Sequence, residues 1–371
     1  MDFNLSDKQV ELREAVRGLL GEKFSTEAMR AAEQSEAGFA REIWEAGVAQ
    51  GWAGMTVPAE FGGQGESLLD ACIMLEEIGR AGATLPLVAG SGLAAAILQR
   101  TPQSAGRDRC LSDIAAGKIM APALIDEDGR NEWDAVRLSA HADGDDVILS
   151  GTKIMVPFAA AAAALLVTAL TEDGETLFLA VDTSADGVSI TPHHSGAGVP
   201  VSSVALDNVR VADKWVIARG AQAVTALHDG LHVGSLLATA EAVGQAETIK
   251  DITTAYVSKR EAFGQPIGAF QAVAHPCADM HINAETVRLL TYQAAWLTDT
   301  GKDAVEEIAS TKALANELFE RGANDAFCVH GAQGFAEACD LQLFMRRIRS
   351  FCLTLGETQE SLERAAQAVG V

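Results

Sequence analysis

Ser258–Met280 reads SKREAFGQPIGAFQAVAHPCADM, and the organisation of the chain turns on it. A basic pair, Lys259 and Arg260, closes a long apolar-patterned segment. A Phe-Gly-Gln-Pro-Ile-Gly break follows, and a helical pattern resumes at Phe270, Val273 and Cys277. Glycine and proline this close together interrupt a helix, so the stretch is a short turn at a helix end. It also concentrates a guanidinium, an aromatic ring and two amides, Gln265 and Gln271.

Working outward, ALHDGLHVGSLLATAEAVGQAETIKDITTAYVSKR reads as one long helix before the break. After it, AVEEIASTKALANELFERGANDAFCVHG carries an apolar stripe at Ile308, Leu314 and Leu318. From about Met120 to Gly220 the period shifts towards two. DDVILSG, TLFLAVDT, GVSITPHH, SVALDNVRV and KWVIA are short β-branched runs punctuated by Gly, Asp and Asn. Their spacing predicts an antiparallel sandwich or barrel rather than βαβ units. Up to Lys118 the pattern is helical again, with Ser6 as N-cap of SDKQVELREAVRGLLGEKF and LLDACIMLEEIGRAG closing at glycines. Between those two helices, Gly51–Gly65 is a loop dense in glycine and proline. The expected domains are therefore helical (1–118), β (119–221) and helical (222–371).

The chain has 371 residues, 48% of them hydrophobic, and a formal net charge of −23. Such a surface repels phosphate backbones and anionic membranes, which argues against a nucleic-acid or membrane-surface partner. The N-terminal segment lacks the basic start and apolar run of a secretion signal, and no stretch reaches the ~20 uncharged apolar residues of a membrane span. The six cysteines are dispersed without a Cys-x-x-Cys pair, as reduced core thiols of a cytoplasmic protein would be. No histidine spacing suits a metal.

Three stretches, in this order on this pattern, resemble the acyl-CoA dehydrogenase family over nearly the whole chain. VPAEFGGQGESLLDACIMLEEIGR is similar to the family's glycine loop and Leu-Glu-Glu helix. KREAFGQPIGAFQAVAHPCADM is similar to its Arg-x-x-Phe-Gly segment, and VHGAQGFAEACDLQLFMRR to its His-Gly-Gly-x-Gly-Phe stretch. The resemblance implies an α-helical N-domain, a β-barrel or sandwich middle domain and a C-terminal four-helix bundle. It implies FAD, lying extended between a subunit and its neighbour, and α,β-dehydrogenation of an acyl-CoA with an electron-transfer flavoprotein as acceptor. The cofactor contacts it implies are Arg260, Phe263, Gln265, Gln271, His330, Gly331, Gly334 and Thr358. A guanidinium holds a phosphate through paired, charge-assisted hydrogen bonds, and glycines let backbone approach a nucleotide. By itself, Arg260 is equally a helix-end cation favourable to the dipole.

Elsewhere the sequence departs from the family. Its base is a glutamate in a Tyr-Glu-Gly-Thr stretch, but here LGET places Gly356 at that position and Glu357 one residue late. Some members supply the base from the long helix, at positions matching Gly234 and Ser235, neither of which can serve. Glu241 lies two turns further, roughly 10 Å along the helix. Glu247 lies beyond it, and Asp229 is a weaker candidate. The family's Thr-Glu-Pro loop reads Ile125, Asp126 and Glu127 within ALIDEDGRNEW, bringing anions towards the flavin. Its Trp-Ile-Thr reads Met155, Val156 and Pro157, and proline has no N–H to donate.

Motifs that hold a flavin ring within one subunit are thus altered, while those that clasp a neighbour's ADP moiety remain. Certain bacterial acyl-CoA dehydrogenases resembling steroid side-chain enzymes are α2β2 heterotetramers in which one subunit lends these motifs in trans. The leading expectation is that this chain is such a lending subunit, without a catalytic base, paired with a homologous chain and acting on a steroid side-chain or other bulky acyl-CoA. The alternatives are an independent homotetrameric enzyme using Glu357 or Glu241, and a cofactor-free scaffold.

Overall fold

The computed structural model describes residues 3–130, 133 and 135–371. The N-terminal region is helical: α1 Asp7–Lys23, α2 Thr26–Gln34, α3 Arg41–Ala49, α4 Leu68–Ala81, α5 Ala94–Arg100 and α6 Ala105–Ala115. Ser6 caps α1 by accepting from the N–H of Gln9, whose side chain returns the bond as a capping box. Gly82 ends α4 in the left-handed region that an L side chain avoids.

The middle region is one sheet of β1 Met120–Ala123, β2 Ile125–Asp126, β3 Ser139–Asp143, β4 Asp146–Pro157, β5 Ala164–Thr171, β6 Thr176–Asp182, β7 Val188–His193, β8 Val201–Val211 and β9 Val216–Arg219. The order is β7-β8-β4-β3-β5-β6-β9, with β1 on β5 and β2 on β4. Most pairings are antiparallel as expected, but β1–β5 and β3–β5 are parallel. Against β8, β4 is irregular at two places, around Gly151 and around Met155, whose φ is +53°.

The C-terminal region begins with α7 Gly220–Lys259. A tight hairpin follows, β10 Glu261–Ala262 and β11 Gln265–Pro266, and then α8 Gln271–Asp299, α9 Val305–His330, α10 Leu341–Leu353 and α11 Thr358–Ala368. The long helix and the break foreseen after it are both present. None of the helices among the described residues is long and apolar enough to cross a membrane. Of the cysteines, Cys72 and Cys110 are buried and three are half-buried, but Cys328 is exposed, contrary to a uniform set of core thiols.

The N-terminal and C-terminal helical regions are bound together at the α4–α7 crossing. A Cβ on Gly79 would lie 1.9 Å from the carbonyl oxygen of Glu241, and one on Gly244 1.9 Å from that of Glu76, so the two backbones touch. Around this contact, the paired glutamates of α4 anchor four helices. The Arg17 guanidinium donates to both oxygens of Glu77 at 2.9 and 2.7 Å. Glu76 accepts from the Tyr292 hydroxyl at 2.7 Å and from Arg288 at 3.0 Å. Arg288 also pairs with Glu247 at 3.1 Å, which makes Glu247 a structural carboxylate. Gly244→Ala forces two backbones apart and should lower stability by about 1–3 kcal/mol, measured by chemical denaturation.

Candidate cofactor-sharing site

The break at 260–270 is a hairpin projecting beyond the end of α7. Phe263 and Gly264 form its two-residue turn, with φ +55° and +82°. Positive φ at both central residues matches the right-handed strand twist, but the first is usually Asn, Asp or Gly. A left-handed phenylalanine costs about 1–2 kcal/mol. Little burial offsets that cost, since Phe263 is 95% exposed; its ring lies nearly perpendicular to that of Phe270, with centres 6.0 Å apart. Among the described residues, burial does not explain why this ring stands here. Phe263→Asn should stabilise the isolated chain by about 1 kcal/mol in thermal denaturation, because asparagine tolerates the conformation.

Arg260 is the C-cap of α7, its N–H donating to the Tyr256 carbonyl at 2.9 Å. It is exposed, and its guanidinium has no ion-pair partner among the described residues, although the chain carries a net charge of −23. Gln265 and Gln271 are exposed beside it, one on β11 and one opening α8.

One turn before Arg260, Tyr256 stacks on His330, with ring centres 4.3 Å apart and planes 21° from parallel. His330 is buried, and its Nδ1 lies 2.9 Å from the Ala326 carbonyl. This stack brings the turn at Gly331–Phe335 alongside the base of the hairpin. Gly331 has φ +59° and open space where a Cβ would be. Gly334 differs from expectation. It is buried, and a Cβ there would crowd His330 at 3.0 Å and Phe327 at 3.1 Å, so it serves packing. Phe335 is exposed and stacks on Phe327 at 4.4 Å, a second solvent-facing aromatic that sequence reading passed over. Thr358 does not join this group. It opens α11 and lines a hollow with Glu317, Glu320, Arg321, Asn324 and Asp325, where one guanidinium stands among three carboxylates.

The base candidates differ in their settings. Glu357 is exposed and is the N-cap of α11, in a capping box with Glu360. Glu241 is pushed up to about 7 by burial, the charge of Arg347 opposing, and its backbone belongs to the α4–α7 crossing. Asp229 is exposed. Gly234 packs α7 onto Leu93, to which a Cβ would come within 2.7 Å, and Ser235 is buried. Leu355 and Gly356 both have positive φ, +57° and +119°. Their loop is held from below by Lys312, 1% exposed, which donates to Asn316 Oδ1 at 2.5 Å and to the Phe351 carbonyl at 2.9 Å. Asn316 in turn donates to the Gly356 carbonyl at 3.1 Å.

Burial pushes Lys312 down to about 7, so between about pH 7 and 10.5 the unfolded chain binds the extra proton. Wild type should gain stability against Lys312→Met across that window, by up to about 1.4 kcal/mol per pH unit, and the difference should be flat below it. Melting temperatures of both proteins from pH 6 to 10 check this.

The flavin-facing motifs also differ from expectation. Asp126 does not reach outward as an anion. Its carboxylate is buried and pairs with the buried Lys153 ammonium at 2.8 Å while accepting from the Arg137 N–H at 2.8 Å. Lys153 also donates to the Thr168 hydroxyl at 3.0 Å. Glu127 is exposed, and Asn131 and Glu132 of that stretch lie outside the described residues. Met155 is exposed on its irregular strand, and Pro157 pairs with Val201 in the sheet. Among the described residues no group of three His, Cys, Asp or Glu could hold a metal.

Residues 6–118 match the family model described as acyl-CoA dehydrogenase, N-terminal domain, and residues 220–370 the model for its C-terminal domain. The chain is 27% identical over 375 residues to the probable acyl-CoA dehydrogenase YngJ of Bacillus subtilis (strain 168), covering 98% of each. Its fold is similar to a chain of the ChsE4-ChsE5 complex from Mycobacterium tuberculosis, with TM-score 0.89, 26% identity, and 100% and 99% of the two chains covered. It is similar also to a variant of the Tcur3481-Tcur3483 steroid ACAD, with TM-score 0.87, 29% identity and 98% of each chain covered.

Proposed function

The chain belongs to the acyl-CoA dehydrogenase family, and from that footing we propose that it is the cofactor-sharing subunit of a heteromeric, FAD-dependent acyl-CoA dehydrogenase. The observation that carries this reading is the hairpin tip. A strained, 95% exposed Phe263 stands three residues from an Arg260 that makes no ion pair among the described residues, while the family's base position reads Gly356. The likeness to two assemblies whose names join two different proteins supports a homologous partner, and the name of one of them supports a steroid or other bulky acyl-CoA.

The residues present suit the ADP end of FAD. Arg260 would take a phosphate, Phe263 would cover an apolar face, and the amides of Gln265 and Gln271 would meet polar atoms of the nucleotide. Open space at Gly331 would admit the nucleotide close to backbone. FAD, when bound, would supply the hydride acceptor for the β-hydrogen of the acyl chain, and on this reading the base for the α-proton would come from the partner. In this chain the corresponding loop holds its shape through Lys312, Asn316 and the Glu357 cap, and moves no proton.

The test is the flavin content of the chain purified alone and of the chain co-purified with a homologous partner. No flavin alone and a single FAD per pair is the expected result. A full complement of FAD in the chain alone would overturn the proposal in favour of an independent enzyme. No flavin in either preparation would favour a scaffold.

A further inference from the structure

Gly356 has neighbours that a base-carrying loop could not have. A Cβ built there would lie 2.7 Å from Nη1 of Arg364 and 2.8 Å from the Ser361 hydroxyl. The space into which a side chain at this position would project is therefore filled by a guanidinium from α11. That guanidinium lies over Trp133, its Cζ 3.5 Å from the ring centre, and reaches Glu360 at 3.3 Å. Trp133 in turn presents edges to two histidines one turn apart on α7, His232 at 4.9 Å and His228 at 6.0 Å. Leu355 and Trp133 pack on the same apolar cluster as Leu227 and Leu231 of α7. A continuous bridge, Gly356–Arg364–Trp133–His232, thus runs from the loop to the long helix. Buried nitrogens of both histidines, His228 Nε2 and His232 Nδ1, have no hydrogen-bond partner in it.

Resting on the reading of Gly356 as the vacated base position, we infer that Arg364 and Trp133 close the reaction space of this chain's own half-site. The isoalloxazine and the reacting carbons of a thioester must both lie beside a base, and here that volume holds an arginine stacked on an indole. The residues do not fit a flavin ring, independently of the altered sequence at Met155–Pro157. The arrangement is also chemically opposite to a base site. A carboxylate introduced at 356 would be captured by Arg364 as an ion pair rather than left free to take a proton. Arg364 is half-buried, and the aromatic face supplies part of what water would otherwise provide to its charge.

The experiment uses the full chain without a partner and titrates it with lumiflavin, the bare isoalloxazine ring, following flavin fluorescence. Wild type should show no saturable binding, and Trp133→Ala/Arg364→Ala should bind saturably, at least tenfold more tightly. Saturable binding to wild type that quenches Trp133 emission, assigned with Trp133→Phe, would overturn the inference. So would a double variant with a native circular dichroism spectrum and no binding.

If the double variant does not fold, a thermodynamic cycle decides. Gly356→Ala should lower the melting temperature further when Arg364 is present than in an Arg364→Ala background. Equal drops in the two backgrounds would mean that the guanidinium does not occupy the space. Neither measurement involves the partner, so flavin sharing by the hairpin and closure of the half-site can fail separately.

Discussion

Arg260→Ala in this chain should strip FAD from the assembled pair while leaving the chain's own melting temperature unchanged. The guanidinium is exposed and makes no ion pair among the described residues, so folding does not depend on it. In the proposed complex it becomes a desolvated partner of a phosphate. Truncating one side of such a pair costs about 2–5 kcal/mol, a loss of some 30-fold to several thousand-fold in affinity. Arg260→Lys should recover only part of it, because an ammonium keeps the charge and loses the paired geometry. The measurement is FAD retained per pair after gel filtration, with a parallel thermal melt of the lone chain. Full flavin retention by the alanine variant would remove Arg260 from the cofactor site.

The second large effect lies in the sheet. Lys153→Met should destabilise the chain by about 3–5 kcal/mol, because it leaves the Asp126 carboxylate buried without its counter-charge. Lys153 is 0% exposed, and burial lowers its pKa against the opposing pull of Asp126. The Arg137 N–H, at 2.8 Å, is too little to hold the remaining anion. Removing both charges, as in Lys153→Met/Asp126→Leu, should restore most of the loss, since a well-packed apolar pair replaces a buried ion pair at little cost. Urea denaturation of the two single variants and the double variant reads this directly. A single variant within about 1 kcal/mol of wild type would mean that the pair is solvated in solution.

These two sites mark how far residues alone could be read. Glycine and proline at 264–268 announced the break after the long helix, since both act through local backbone geometry, and the helix, sheet, helix order followed from periodicity. Direction of pairing is not local. The period-two runs fall on β4, β6, β7, β8 and β9, whereas β1, β3 and β5, the strands that make the two parallel pairings, carry no such run in the sequence reading. Asp126 in a flavin-facing loop reads as a misplaced anion until β2 is laid against β4, which brings Lys153 opposite it. Arg260 and His330 were legible by resemblance, but the Tyr256 stack that brings their segments together was not. Trp133 closes the quoted ALIDEDGRNEW stretch and Arg364 lies in no motif, and nothing in the sequence says that these two distant residues meet.

Gly356 bears on the history of the chain as well as its chemistry. Its φ of +119° and the guanidinium 2.7 Å from its missing Cβ mean that a carboxylate restored there would start in a strained backbone and beside a cation. A glutamate would arrive strained and already neutralised, and clearing Arg364 first would bring no catalytic gain on which selection could act. The substitutions stand in a ratchet-like order. On the proposed reading, a lineage that fills the space behind a lost base becomes committed to its partner, and the pair is then inherited as a unit.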